Sequence, residues 1–329
     1  MKISFLLLLL LFPLALLTGS VSLPAAEVWQ VLCGHEATHT ARFIVLDYRV
    51  PQALTAVCSG AALAVSGLVM QTLFANPLAD PSLLGVNSGA SLGAAVALLL
   101  CGGTAAIAGM QAGGIVLTVL MAMLGAMAVM LLLVLCSMWL RGRLALLVAG
   151  VMIGFALSAV ISLLSFFATA EGVRSFVVWG MGDFGGVSRA HIPYYCLGVV
   201  CLLGGVWLMA RPLNALLLGS DYAANLGVHV RRCRTVLLLL TGMLTALVTA
   251  FCGPILFIGL AVPHIARLLL HSSDHSRMLP VTALMGANVA LLALVLSHLP
   301  GERGVLPLAA ITPLIGVPVV LTLLLRKQS

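Results

Sequence analysis

The chain has 329 residues, 62% of them hydrophobic and 8% charged, with a net charge of +7. A soluble domain carries about 25% charged residues, so this composition excludes a water-facing globule. The 16 Lys and Arg are scattered between apolar runs, which excludes the clustered basic face of a nucleic-acid-binding protein.

Apolar runs punctuated by charges and by Pro/Gly clusters predict ten spans. They lie at roughly 3–23, 51–73, 88–109, 113–135, 144–167, 191–210, 235–252, 255–270, 280–299 and 305–325. About twenty apolar residues cross the hydrocarbon once, and the 60 residues between Asp80 and Arg141 hold no Asp, Glu, Lys or Arg. The fold class is therefore all-α and integral to the membrane, one polytopic domain over residues 1–329. The first span carries Lys2 before an Ile3–Leu17 apolar run and resembles a secretory signal. A retained helix is the preferred reading, because ten spans put both termini on one side.

The loop after it contains His35-Glu36-Ala37-Thr38-His39, a match to H-E-x-x-H. On a helix both histidines would share one face, as a zinc peptidase requires. No shell of residues is available there to exclude water, and metal affinity in this loop stays open. The loop after the second span, Asn76 to Gly85, has Pro77 and Pro81 to end one helix and delay the next, and Asp80 is its sole charge. Gly85, Gly89 and Gly93 follow at i, i+4, i+8, and Gly150 and Gly154 repeat the spacing in the fifth span. Small residues at that interval let helices approach closely in lipid, so these glycines serve tight packing or line a pathway.

The loop 168–190 suits a short interfacial helix around Arg174–Trp179, with Trp179 at headgroup level. It either anchors the chain or helps close a mouth. The polar segment 211–234 holds a miniature helix signature over Asp221–Leu226. Ser220 suits a cap, Asp221 the positive N-terminal end, and Gly227 a left-handed stop. Pro254 and Pro263 bracket eight residues, so the eighth span is short or kinked. His264 ties that broken helix down by a hydrogen bond or binds a ligand, and Arg267 snorkels toward headgroups.

Lys and Arg set the orientation. With both termini cytoplasmic, the inside receives Lys2, Arg141, Arg143, Arg211, Arg231, Arg232, Arg234, Arg267, Arg277, Arg326 and Lys327. The outside receives Arg42, Arg49, Arg174, Arg189 and Arg303, a ratio of 11 to 5. None of the predicted spans contains Asp or Glu. Ion-driven carriers commonly place such acids at mid-membrane, so energy is expected from another polypeptide. The chain has no G-x-x-x-x-G-K-[ST] loop to hydrolyse ATP itself, and no cofactor is expected. A secondary carrier, a membrane metallopeptidase and a purely structural subunit are the rivals.

Several motifs recur in a fixed order. They are Arg49-Val50-Pro51-Gln52, Gly60 to Gly67 with Gln71, Asn76 to Gly85, Gly85-Val86-Asn87-Ser88-Gly89-Ala90 and Val178 to Gly182. Leu218-Gly219, Leu226-Gly227-Val228, Gly253 to Leu260 and Pro263-His264-Ile265-Ala266-Arg267 follow. In these the chain resembles the FecCD permeases of ABC importers for ferric siderophores, haem and cobalamin. The resemblance implies a homodimer with a pathway between its subunits, two cytoplasmic ABC ATPases, a periplasmic or lipoprotein binding protein, and the bacterial inner membrane. It further implies that residues 211–234 hold a coupling helix with Tyr222 and Leu226 at the ATPase contact, and that Arg49 docks the binding protein. The family's second arginine after Arg-Leu-Pro falls on Gln52, and its ninth-helix Asp and Arg fall on Leu294 and His298. Arg303 is the candidate substitute. The substrate is expected to be an iron chelate, ferric siderophore or haem, with cobalamin as the alternative.

Overall fold

The computed structural model describes residues 2–35, 38–100, 105–107, 110–112, 114–140, 143–301 and 304–326. In chain order the helices are α1 (Lys2–Leu17), α2 (Ala25–Leu32), α3 (His39–Phe43), α4 (Val50–Leu73), α5 (Val86–Ala95), α6 (Gly114–Trp139), α7 (Arg143–Phe167) and α8 (Ala170–Gly180). After these come α9 (Ile192–Leu208), α10 (Ala210–Leu217), α11 (Ser220–Asn225), α12 (Val230–Cys252), α13 (Ile258–Leu270), α14 (His275–Ser297) and α15 (Leu308–Arg326). A π-helical stretch, Ile44–Arg49, joins α3 to α4, and another, Val96–Leu100, prolongs α5. The third predicted span thus ends as helix at Leu100 rather than at 109. Two three-residue strands, Ala105–Ile107 and Met110–Ala112, pair antiparallel beyond it; among the described residues they are the only strands, and every other regular element is helical.

Each of the ten predicted spans overlaps a helix. By length and composition, five helical stretches are able to cross a membrane: His39–Leu73, Gly114–Trp139, Leu144–Phe167, Val230–Cys252 and His275–Ser297. Ile192–Leu208 and Ala210–Leu217 make a sixth if the pair, bent by 50°, counts as one. The others are shorter, and two of them, α1 and α13, are bounded by a local feature. Arg49 takes the carbonyls of Leu16, Leu17 and Val21, holding the chain as it leaves α1. Gly253 and Phe257, both at positive φ (71° and 67°), delay the start of α13.

α4 is the axis of the bundle. Its apolar window is 78% buried, against 11% for α7. Burial that deep depends on small residues. Gly60 and Ala64 of α4 face Gly286 and Ala290 of α14, so that a Cβ on Gly60 would land on the Gly286 carbonyl. Two helical turns beyond Gly60, Gly67 sits equally close to the Gly259 backbone in α13. Without water between them, membrane helices gain from close packing of this kind.

The same logic resolves the predicted glycine stripe. Gly89 and Gly93 pack on Gly125 and Met121 of α6, and Gly85 packs on Gly150 and Gly154 of α7. Gly85 lies outside the helix, in the left-handed region at φ 78°, between the 3-10 turn Pro81–Leu84 and α5. One sequence period therefore serves two neighbours.

Candidate functional site: the two ends of the bundle

Beyond the bonds inside the bundle, such as Ser59–Tyr195 and Thr249–Asn87, polar contacts between elements gather at two ends. One end gathers the α10–α11 region, the turn before α14 and the loop 74–85. The opposite end gathers the α3–α4 junction, α8 and the residues around Asp183, His298 and Gly253.

At the first end, α11 forms as the sequence predicts, shifted by one residue. Ser220 is its first helical residue and Gly219, at φ 111°, occupies the N-cap, so the capping role expected of Ser220 is corrected. Asp221 sits in the first turn. Gly227 at φ 82° stops the helix through two bonds, Gly227 N–H to Ala224 O at 2.9 Å and Val228 N–H to Ala223 O at 3.0 Å. This pair is a Schellman closure. Ala223 is buried beneath, while Tyr222 is 51% and Leu226 59% exposed. Leu217 and Leu218 are also exposed, so this polar segment turns four large apolar side chains outward, as a protein contact would.

α10 lies against the bundle through Leu213 and Leu216. Its Asn214 accepts from the backbone N–H of His275 at 2.8 Å and from His275 Nδ1 at 2.9 Å, and donates to Asp274 Oδ1 at 2.6 Å. Asp274 also caps α14 by accepting from Ser276 N–H at 3.0 Å. These bonds, chiefly the one from Asn214, hold the Asp274 carboxyl below its usual value.

The α13 motif closes on this end. His264 donates Nε2–H to the Pro77 carbonyl at 2.9 Å, and Arg267 Nη1 reaches His264 Nδ1 at 3.4 Å. His264 is thus spent tying α13 to the loop 74–85. The break predicted around Pro254 and Pro263 falls at residues 253–257, while Pro263 is accommodated inside α13. Lacking an N–H, Pro263 frees the Gly259 carbonyl, which lies against Gly67. Gln71 Nε2 donates to the next carbonyl, Leu260 O, at 3.2 Å. Asp80 is buried beside Gly259 and caps the 3-10 turn, accepting from Ser82 N–H at 2.8 Å and Ser82 Oγ at 2.5 Å. Burial raises its pKa, and the Ser82 bonds oppose that shift.

At the opposite end the docking expectation for Arg49 is corrected. Arg49 is 3% exposed, and its guanidinium donates to the α1 carbonyls, at 2.8 Å for Leu16 O. Buried there, it spends three N–H groups on this chain's own carbonyls, those of Leu16, Leu17 and Val21, rather than facing outward. Gln52 and His298 are buried with it, and Gln52 Nε2 meets Asp183 Oδ1 at 3.3 Å. Arg303 lies outside the described residues. The exposed charges of this end include an Asp47–Arg189 pair at 3.1 Å.

α8 forms where predicted, with Thr169 Oγ1 accepting from Gly172 N–H at 3.2 Å as its cap. It borders a cleft of about 520 Å³ lined by Glu171, Arg174, Ser175, Trp179 and Asp183 against α6 and the end of α12. The H-E-x-x-H segment does not form one helix. Thr38 is extended and begins α3 as its N-cap, with His35 left before it; Glu36 and Ala37 lie outside the described residues. Among the described residues no group of three or more His, Cys, Asp or Glu is placed to hold a metal ion.

The FecCD transport family model matches residues 7–326. The vitamin B12 import system permease BtuC of Escherichia coli O127:H6 is 37% identical over 319 residues, 97% of this chain and 94% of that protein. BtuC of Shigella boydii serotype 18 is 37% identical over 321 residues, 98% and 95%. A solved chain described as an inward-facing metal-chelate type ABC transporter superposes with a TM-score of 0.85 at 28% identity, covering 99% of both chains. A chain of PsaBC from Streptococcus pneumoniae shares the fold at a TM-score of 0.52 and 13% identity. The match over residues 7–326 and the relatives at 37% identity agree with the helical, membrane-suited structure: this chain belongs to the FecCD transport family and is the multi-pass membrane permease of an ABC importer, a class whose ATPase activity lies on a separate subunit.

Proposed function

We propose that this permease imports cobalamin, or a corrinoid close to it, across a bacterial inner membrane. The carrying observation is the 37% identity to vitamin B12 import permeases across 97% of the chain. It displaces the iron chelate expected from the sequence, which rested on the breadth of that substrate class and on no residue. The likeness to a metal-chelate type transporter, at 28% identity, makes iron chelates the second reading.

In this proposal ten helices cross the membrane with both termini cytoplasmic, so the α10–α11 end is the inner one. Two copies assemble, each with an ATPase docked on Tyr222 and Leu226, and a binding protein delivers substrate to the opposite end beside α8. α7 supports a pathway between copies. It is the least buried of the long helices, yet Ser158, Ser162 and Ser165 form a hydroxyl stripe along it. Ser158 Oγ and Ser162 Oγ bond back to the carbonyls of Gly154 and Ser158 at 2.9 and 3.0 Å. Such a wall is wettable without binding tightly. Nucleotide-driven closure of the ATPases would press on α11 and tilt the two copies between outward and inward states.

The test is ATP-dependent uptake into proteoliposomes holding the permease, its ATPase and its binding protein, with labelled cobalamin, haem and a ferric siderophore supplied separately. Cobalamin uptake is expected. Uptake of a ferric chelate with none of cobalamin overturns the substrate, and uphill transport by the permease alone overturns the class.

A further inference from the structure

A pressed surface helix moves a gate only if something stiff joins the two. α10 leaves α9 at a 50° bend, where a push could be absorbed. Asn214 of α10 joins the coupling segment to the turn before α14 by three hydrogen bonds.

The hydrogen-bond inventory fixes how that residue sits. Its Oδ1 receives two N–H groups of His275, so its Nδ2 must face the Asp274 carboxylate, as the 2.6 Å separation shows. An oxygen acceptor at His275 Nδ1 requires the proton on that nitrogen. Nε2 then carries a lone pair that faces the Thr72 hydroxyl at 2.8 Å, and the hydroxyl proton is shared between it and the Leu68 carbonyl at 3.1 Å. Thr72 is buried in the last turn of α4. The line is unbroken: α10, Asn214, His275, Thr72, α4. At its midpoint the first N–H of α14 is capped by Asn214 and the second by Asp274. A helix's leading N–H groups need such partners, so the inner end of α14 is completed by a residue of the coupling segment.

We propose that Asn214 is a positioning residue, a pin that makes α10–α11 move as one body with α14 and α4, so that displacement of α11 reaches the core of the bundle instead of dissipating at the α9–α10 bend. It rests on the coupling role proposed for α11.

The test turns on charge bookkeeping. Asn214→Leu removes every bond. Asn214→Asp keeps the acceptor for His275 but sets a second carboxylate against Asp274. Adding Asp274→Asn restores the full set: Asp at 214 accepts from His275 and from the new amide, whose oxygen caps Ser276. In the reconstituted complex, both single variants are expected to assemble and hydrolyse ATP while uptake per ATP falls at least tenfold, and the exchanged pair to recover to within threefold. Uptake per ATP unchanged in Asn214→Leu overturns the pin, as does failure of the exchanged pair in a complex that assembles and melts normally. A second measurement needs neither substrate nor ATPase. In the permease alone, hydrogen exchange at the first turn of α14 is expected to accelerate in Asn214→Leu and to return in the exchanged pair. Unaltered exchange overturns the pin even if the transport reading stands. A wild-type complex that moves no substrate refutes that reading, and the exchange result then decides the pin by itself.

Discussion

Gly60→Ala tests the packing that the whole bundle depends on. The added methyl would land on the Gly286 carbonyl oxygen and the Ala290 Cβ. Neither yields as a flexible side chain would, because both are fixed to the α14 backbone. The helices must separate, by about 1 Å if the carbonyl is to regain ordinary contact. A gap of that size forfeits a quarter to a half of each contact's roughly 0.1–0.2 kcal/mol. Over the few tens of atom pairs along a helix crossing this is about 1–3 kcal/mol, the usual range for overpacking. Replacing a mid-helix glycine returns about 0.5–1 kcal/mol, so the midpoints leave a net loss of about 1 kcal/mol. The sign reverses at Gly204 in α9, where a Cβ meets nothing within 4 Å. Thermal unfolding in a fixed detergent should show Gly60→Ala melting below the wild type and Gly204→Ala at or above it. Equal or higher stability of Gly60→Ala would refute the close approach of α4 and α14.

Leu226→Asp, on an exposed apolar contact, should leave the permease in the membrane while lowering ATPase co-purification or uptake per ATP at least tenfold; normal coupled uptake removes Leu226 from the coupling surface. Cys58 Sγ and Cys196 Sγ lie 3.4 Å apart across α4 and α9, so diamide should couple them, the diazo reagent accepting two hydrogens as the disulfide forms. Two alkylatable thiols should disappear together in wild type and neither by that route in Cys196→Ala. For Asp274, whose carboxyl is held low chiefly by Asn214, the sign follows from linkage. A depressed folded pKa gives stability that is present above the unfolded value, about 3.9, and lost as pH falls through the folded one. Melting temperature should therefore drop more steeply on acidification below that value in wild type than in Asp274→Asn.

Composition was enough for the solvent. A chain with so few charges has no polar surface to cover a water-soluble core, so lipid and helix follow from residue content. The ten apolar runs, α8 and α11 were likewise local matters: a helix signature such as Gly227 after Leu226 works within one turn and needs no distant partner. The ordered motifs named the family because they recur along nearly the whole chain.

What the linear chain lacked was the identity of neighbours. Arg49 read as an outward charge, because position in a loop looks like exposure; the fold instead turned it onto the α1 carbonyls, whose orphan acceptors nothing in sequence assigned to it. Gly60 and Gly286 are 226 positions apart, and only the crossing of α4 with α14 makes their missing side chains one requirement. Asn214 looked like any polar residue in a connecting segment until folding set it against His275. A hydrogen bond or a van der Waals contact is decided within a few ångströms, and distances that short between residues far apart in the chain exist only once the helices have packed.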